Sequence, residues 1–190
     1  MSIDFAAQRD TMVESQVRVA DVTDYAIQDA MRVVPRETLL PAETAYLAYA
    51  DVEVAYAPGR WLLKPRDVAK LLQALRPKPG ERALAIAAPY AAAVLKEMGL
   101  TVTRLDAGDL AQPTGDYDVV ICEGAVTEIP AGWRAVVSAP DGRLGAVERH
   151  GPVGHAVLYL HTQAGVGRRD LFDSTPPIMA GFEPKQAFAF

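Results

Sequence analysis

The sequence predicts an α/β fold whose central sheet is mostly parallel. A short apolar run at residues 83–87 and a second predicted strand at residues 101–105 stand on either side of a helical segment at residues 90–98. Short links join these three elements, and a strand–helix–strand unit of this kind places its two strands parallel in one sheet. Residues 118–122 are predicted to be a third strand. The run at 83–87 has no alternating polar residues, which is typical of a strand buried on both faces.

Helices are predicted before the first of these strands. Apolar residues recur at helical spacing over residues 4–19, which predicts an amphipathic helix. A second helix is predicted to begin with Thr23 as its N-cap and Asp24 in its first turn, and Pro35 ends it. A third helix is predicted to begin near Pro65, with apolar residues along one side.

The last third of the chain has a different pattern. Residues 143–148 and 156–161 read as strands, and the Gly-Pro-Val-Gly stretch at residues 151–154 reads as the turn between them. This pattern predicts a C-terminal antiparallel hairpin. Residues 186–190 are predicted to be a final strand that joins the hairpin.

Length and composition limit the classes of function. The 190 residues favour one domain, with residues 1–76 as an N-terminal helical part and residues 77–190 as the α/β core. The net charge of −5 argues against nucleic-acid and membrane-surface binding, because both need clustered Lys and Arg. No apolar run approaches the roughly 20 residues of a membrane helix, and residues 1–10 lack the apolar core of a signal peptide. We therefore expect a cytoplasmic protein.

Metal and thiol chemistry have little support in the sequence. His150, His155 and His161 lie close together in the chain, but a zinc site needs further ligands, and no cluster of Cys or acidic residues is near them. We therefore predict no metal site. Cys122, the one cysteine, is predicted to be buried and inert, because reactive cysteines need an electropositive setting.

Several motifs resemble those of one enzyme family. The stretches MVESQVR (residues 12–18) and AMRVVPRE (residues 30–37) resemble the opening of protein-L-isoaspartate O-methyltransferases. Residues 78–82, 90–95 and 116–121 resemble that family's entry to its first sheet strand, its first crossover helix and its fourth strand. The resemblance covers nearly the whole chain. It implies a Rossmann-like class I methyltransferase sheet with a small N-terminal helical addition, and an enzyme that uses S-adenosylmethionine to methylate isoaspartyl residues of proteins.

The cofactor positions implied by the resemblance carry unusual residues. In the family, the first strand runs into an acid and then a glycine-rich loop, where any Cβ would collide with the cofactor. Here Ala85 stands at the acid, Ala87 at the first glycine, and the shortened loop contains Pro89. Tyr90 either covers a ligand or points its ring into the core. Asp106 stands at an acid that binds the ribose hydroxyls in the family, or it is a solvated loop residue.

The acceptor side departs from the family as well. Many members have a serine or threonine two residues before a proline, where it contacts the acceptor carboxylate. Here the corresponding stretch reads Leu63-Lys64-Pro65, and Leu63 cannot form that hydrogen bond. Lys64 and Arg66 are charged residues that could meet an anionic partner. We favour the simpler interpretation, a solvated pair at a helix start.

A crossover unit is predicted to be missing. After the second strand, the family has a helix and a third strand that flank the adenine. Only residues 107–115 separate Asp106 from the next matching strand, and nine residues cannot form a helix plus a strand. We expect exposed apolar surface where the unit is absent, which a partner subunit could cover.

Two functions follow from these observations, and no catalytic residue is assigned for either. In the first, the protein has lost S-adenosylmethionine binding and methyl transfer, holds no cofactor, and acts as a binding or scaffold protein through a protein partner or a homo-oligomer. In the second, it is an active S-adenosylmethionine-dependent protein carboxyl methyltransferase with a rebuilt site. In that case Tyr90 and Asp106 contact the adenosyl group.

Overall fold

The computed structural model describes residues 3–184. In that part of the chain the helices are α1 (Phe5–Met12), α2 (Tyr25–Val33), α3 (Pro65–Leu75), α4 (Pro89–Glu97) and α5 (Ala131–Ala135). The strands are β1 (Val54–Ala57), β2 (Arg60–Leu62), β3 (Arg82–Ile86), β4 (Thr101–Leu105), β5 (Val119–Val126), β6 (Arg143–His150), β7 (Val153–Thr162) and β8 (Gly165–Asp173). No helix in residues 3–184 is long and apolar enough to cross a membrane.

The described strands form two sheets. The larger sheet has the order β4-β3-β5-β6-β7-β8, and the smaller is the antiparallel hairpin of β1 and β2. Strands β4, β3, β5 and β6 run parallel, whereas β7 and β8 continue the sheet as an antiparallel meander. The predicted α/β fold, with a parallel centre and a C-terminal antiparallel hairpin, is confirmed.

Strand β3 shows why the parallel centre forms. Its side chains alternate between two faces, and both faces are covered. Ala83 and Ala85 belong to the core cluster that includes residues of α3 and α4, and Leu84 and Ile86 belong to the cluster around Trp133 of α5. Small residues face the first cluster, where the helices pack on the sheet.

The N-terminal segment predicted to be one helix is helical from Phe5 to Ala20, but the type of helix changes along it. A π-helical stretch at Val13–Val17 and a 3-10 turn at Arg18–Ala20 follow α1.

The prediction that Thr23 is the N-cap of α2 is wrong. Asp24 is the N-cap, and its carboxylate accepts hydrogen bonds from the amides of Ala26 and Ile27. Thr23 cannot serve because its hydroxyl lies against the Gln73 side chain instead.

Two strands differ from their predictions. The strand predicted at residues 118–122 continues to Val126, because Ala125 and Val126 also pair with β6 beyond an irregularity that includes Gly124. Strand β8 was not predicted, since its sequence, GVGRRDLFD, is mostly polar and exposed. The final strand predicted at residues 186–190 lies outside the described residues.

The crossover unit is absent, as the sequence predicts. Residues 107–115 form only turns and bends, so β4 is an edge strand. The expected exposed apolar surface is not found there. The most exposed side chains of β4 are polar, those of Thr101, Thr103 and Arg104, and its apolar residues are half-buried. The edge strand β4 therefore carries polar side chains at the positions where packing against a further unit would need apolar ones.

Candidate cofactor site

The cofactor positions lie at the carboxyl ends of neighbouring parallel strands. Ala85 is the penultimate residue of β3, Ala87 follows that strand, and Tyr90 is in the first turn of α4. The Ala87 amide donates to the carbonyl of Leu105, which places Asp106 beside the same loop. In open α/β sheets this edge is where ligands bind. The structure therefore brings the four predicted positions to one region.

Ala87 has a backbone conformation that suits glycine. Its φ is +45°, in the left-handed region, which costs an L-residue roughly 1–2 kcal/mol. The alanine is fully buried, so its methyl group packs into the core. The turn after β3 therefore has the backbone of a glycine position but carries an alanine.

A matched pair of substitutions measures the strain at Ala87. Ala87→Gly and Ala85→Gly each remove one fully buried methyl group and add the same chain entropy to the unfolded state. Only Ala87→Gly relieves a left-handed backbone. We expect it to be less destabilising than Ala85→Gly by about 1–2 kcal/mol in urea unfolding. Equal losses for the two variants would contradict the strained turn.

Glu123 occupies the N-terminus of α4. It lies on β5 directly after Cys122, is fully buried, and its Oε1 accepts a hydrogen bond of 2.6 Å from the amide of Ala91. The N-cap residue Ala88 offers no side-chain acceptor, and the Glu123 carboxylate instead accepts from the Ala91 amide, one of the amides at a helix start that lack a partner within the helix. Burial raises the pKa of Glu123 to about 7, and the charge of Arg36 opposes that rise.

Arg36 is the buried cation of the same region. Its Nε donates to the carbonyl of Ala48 at 2.8 Å, and its Nη2 donates to the carbonyl of Leu63. The guanidinium carbon lies 4.7 Å from the centroid of the Tyr90 ring, in cation–π geometry. Burial lowers the pKa of Arg36, and the carboxylate of Glu123 acts in the opposite direction. Arg36, Tyr90 and Glu123 therefore form one buried polar group, which we call the Arg36 cluster.

The segment after β8 fills the space beyond the end of β3. Strand β3 ends opposite Cys122, so Ala125 pairs with Ile178 instead, and the Met179 amide donates to the Ala125 carbonyl at 2.8 Å. The Met179 side chain is fully buried, and its Sδ lies 3.8 Å from the Cys122 Sγ. Gly124 makes this approach possible, because a Cβ there would lie 2.5 Å from the Met179 Cγ.

The hairpin of β1 and β2 packs against the same segment. The carbonyl of Gly59 accepts a hydrogen bond from the Ala180 amide at 3.3 Å, and Arg60 donates to the Ala180 carbonyl at 3.1 Å. Tyr56 of β1 is half-buried, and its pKa is raised by burial and then by the charges of Glu123 and Asp106. The hairpin therefore lies close to both acidic residues of the region.

The comparisons with known proteins identify the family. No protein-family model matches the chain. A protein-L-isoaspartate O-methyltransferase of Methylorubrum extorquens (strain PA1) is 33% identical over 199 residues, which cover 90% of this chain and 85% of the relative. The chain belongs to the protein-L-isoaspartate O-methyltransferase family. Protein-L-isoaspartate O-methyltransferase 2 of Anaeromyxobacter sp. (strain Fw109-5) is 29% identical and covers 86% of this chain and 78% of the relative.

Solved structures of protein-L-isoaspartate O-methyltransferases share the fold. One, from Plasmodium falciparum in complex with S-adenosyl-L-homocysteine, has a TM-score of 0.73 at 15% identity and covers 90% of this chain and 97% of that chain. Another has a TM-score of 0.74 at 17% identity and covers 91% of this chain and 66% of that chain. The Rossmann-like methyltransferase sheet implied by the sequence motifs is confirmed.

Three of the four family cofactor positions are inaccessible in this member. Ala85, Ala87 and Tyr90 are fully buried. Tyr90 belongs to the buried core cluster, as the second of its two interpretations expects. Asp106 is exposed and forms an ion pair of 2.8 Å with Arg104. Four clefts of 310 to 790 Å³ open on the described surface, and none of these four is lined by a family cofactor position.

The acceptor-side positions of the family also serve the fold. Leu63 is fully buried, and Pro65 is the first residue of α3. Lys64 lies 3.6 Å from the carboxylate of Glu53, and Arg66 lies 3.2 Å from that of Asp51. These ion pairs at the helix start agree with the simpler interpretation of the two charges.

Sequence reasoning missed the residues that fill the site. Glu123 is not among the residues that the sequence singles out, and Arg36 occurs there only within the stretch AMRVVPRE. A signal was present for Glu123, because it is the one charged residue in the run VVICEGAV. Cys122 is buried, as predicted, and burial raises the pKa of its thiol. Within residues 3–184, no group of three or more His, Cys, Asp or Glu is placed to hold a metal ion.

Proposed function

We propose that this chain is a family member that has lost S-adenosylmethionine binding and methyl transfer and acts as a binding or scaffold protein without a cofactor. The observation that carries the proposal is the Glu123 carboxylate on the Ala91 amide. A helix N-terminus at the carboxyl edge of a parallel sheet is where such folds bind the polar groups of a ligand. Here the chain's own carboxylate takes that place.

Packing around the loop supports the same proposal. Pro89 contributes no amide donor, and Met179 belongs to the same buried apolar cluster as Ala87. Met179 and Glu123 both lie at the edge of the sheet where such folds bind their ligands. Moving Glu123 away from Arg36 would leave a buried charge without its counter-charge, which is costly. The residues present therefore do not fit S-adenosylmethionine.

Calorimetric titration tests this proposal. We expect no heat of binding when S-adenosylmethionine or S-adenosyl-L-homocysteine is added to about millimolar concentration, which is a binding free energy weaker than about −4 kcal/mol. The Ala87→Gly variant is expected to stay silent as well, because Glu123 and Met179 remain in place. Binding at micromolar strength, about −8 kcal/mol, would contradict the proposal.

The Methylorubrum extorquens relative provides the control for that titration, under the same buffer and ligand stocks. Both proteins are then incubated with an isoaspartyl peptide and methyl-labelled S-adenosylmethionine. We expect no label on the peptide with the present chain. Transfer of label would support the alternative function described next.

The alternative is an active S-adenosylmethionine-dependent protein carboxyl methyltransferase with a rebuilt site. Two observations favour it: the identity of 33% to a protein-L-isoaspartate O-methyltransferase over most of the chain, and the exposed Asp106 beside the loop after β3. This alternative assigns Tyr90 and Asp106 to the adenosyl group; Tyr90 is fully buried, so the exposed Asp106 would make the ligand contact unless Tyr90 moved. The substitution Asp106→Asn would then weaken ligand binding.

As a scaffold, the protein would act through a protein partner or a second copy of itself, in the cytoplasm and without binding nucleic acid or membrane. The net charge of −5 supports a protein partner over the phosphate backbone of a nucleic acid.

A further inference from the structure

A long groove runs beside α3, away from the cofactor positions. Three clefts of 410, 790 and 310 Å³ follow one another along the helix and share lining residues. The shared residues are Ala20, Lys70 and Phe172 at one junction and Ala74, Arg76 and Arg169 at the other. Helix α3 lines the groove over its whole length, and β8 lines it on the other side. We call this feature the α3–β8 groove.

The 790 Å³ cleft of the groove contains four cations that form no ion pair with the described residues, whereas the 410 Å³ cleft also has Asp51, Asp67 and Asp173 on its walls. Among the described residues, no carboxylate lies within ion-pairing distance of Lys70, Arg76, Lys78 or Arg169, all of which line the largest of the three clefts. The other arginines of the groove differ in this respect. Arg66, Arg143 and Arg168 are each paired with an acid. Four unpaired cations in one cleft stand out in a chain whose net charge is −5.

Acidic residues in the same cleft offset only part of this charge. Asp21 and Asp24 line the opposite wall. The Asp24 carboxylate already accepts hydrogen bonds at the N-terminus of α2, which spreads its charge onto the helix start. The cleft therefore keeps a net positive charge and attracts anions.

The groove also offers an apolar surface beside an edge strand of the described sheet. Leu171 and Phe172 of β8 are half-buried and line the groove, with Lys70 Nζ 4.2 Å from the Phe172 ring centroid. Within residues 3–184, β8 pairs with β7 alone, and residues 186–190, predicted to be a final strand, lie outside this range. A strand edge without a partner accepts extended segments from other chains.

We infer that the α3–β8 groove is a docking surface for an extended, acidic segment of a partner protein. Alternate side chains of an extended segment point in opposite directions, so carboxylates and apolar residues can be presented separately. The carboxylates meet Arg76, Lys78 and Arg169, and the apolar residues cover Leu171 and Phe172. The inference rests on the proposed binding role, names the chemistry of the partner, and does not depend on whether the cofactor site is lost.

A labelled peptide tests this surface directly. The probe is a fluorescein-labelled peptide of alternating glutamate and valine, about eight residues long, which spans about 26 Å when extended. We expect anisotropy to report saturable binding at about 50 mM salt, and binding at least about fivefold weaker at about 300 mM salt, because exposed ion pairs are screened. The Arg76→Glu/Arg169→Glu variant is expected to bind at least about tenfold more weakly, or about 1.4 kcal/mol.

The control variant carries the same charge change elsewhere. Lys96→Glu/Arg134→Glu alters two exposed cations outside the groove and is expected to bind the peptide as the unchanged protein does. Circular dichroism confirms that both variants are folded. Equal weakening by the two variants, or no binding to the unchanged protein at about millimolar peptide, overturns the inference.

Two other occupants are distinguished in the same experiment. Tighter binding of a single-stranded oligothymidine than of the acidic peptide would assign the groove to nucleic acid and overturn the inference. A dimer in light scattering that Arg76→Glu/Arg169→Glu dissociates would assign it to a second copy of the chain, which also overturns it. The calorimetric titration with S-adenosylmethionine is unaffected by either result, so the two proposals can fail separately.

Discussion

The Arg36→Met variant is expected to lose about 3–5 kcal/mol of its free energy of unfolding. Arg36 is fully buried, and its guanidinium donates to the carbonyls of Ala48 and Leu63. The substitution leaves both carbonyls without that donor and removes the positive charge that acts on the buried carboxylate of Glu123. Urea unfolding followed by circular dichroism near neutral pH measures the loss.

A double-mutant cycle tests the reason for that loss. Arg36→Met/Glu123→Leu removes both buried charges, so we expect it to be more stable than the sum of the two single variants implies, by about 1–3 kcal/mol. Arg104→Met removes an exposed arginine that pairs with Asp106 and is the control, with an expected loss below about 1 kcal/mol. If the losses at Arg36 and Glu123 were simply additive, the two charges would not be coupled.

Glu123 is expected to make the protein less stable as pH rises. Burial raises the pKa of this carboxyl to about 7, whereas a glutamate in an unfolded chain titrates near roughly 4.3. Between these two values the folded protein holds a proton that the unfolded chain has released. The stabilising contribution is therefore complete below roughly pH 4.3 and is lost as pH rises to about 7, a change of about 3 kcal/mol.

Glu123→Gln isolates this contribution, because glutamine does not titrate. Between about pH 5 and pH 8, we expect the difference in unfolding free energy to shift by roughly 3 kcal/mol in favour of the variant. Burial also raises the pKa of Asp67, but that residue is present in both proteins and its effect cancels. Glu97→Gln, at an exposed carboxyl, is the control. A difference that does not change with pH would mean that Glu123 ionises as readily in the folded protein as in water.

Both predictions concern the group that fills the cofactor position. Arg36 and Glu123 make the interior of this family member polar where a ligand would otherwise supply the polar groups. Hydrogen bonds join the cluster to the start of α4 and to the carbonyl of Leu63, while Arg36 Nη1, the Tyr90 hydroxyl and Glu123 Oε2 are buried without a protein partner among the described residues. Both predictions can therefore be measured on the chain without any ligand.

Local patterns in the sequence determined the fold class. The apolar run of β3, the helical segment of α4 and the short links that join β3, α4 and β4 can be recognised from neighbouring residues alone. The missing crossover unit was also predictable, because nine residues are too few for a helix and a strand. Strand β8 was missed because local apolar patterns do not reveal it: an exposed strand on a sheet edge needs no apolar alternation.

The content of the cofactor position was decided by tertiary structure alone. The sequence showed that Ala85 and Ala87 had replaced the acid and the glycine implied by the family resemblance. It did not show that Glu123 and Met179 fill the space, because the first comes from β5 and the second from the segment after β8. Whether a glutamate is solvated or buried depends on which helix start and which arginine reach it. Those approaches are set by the packing of segments that lie far apart in the chain.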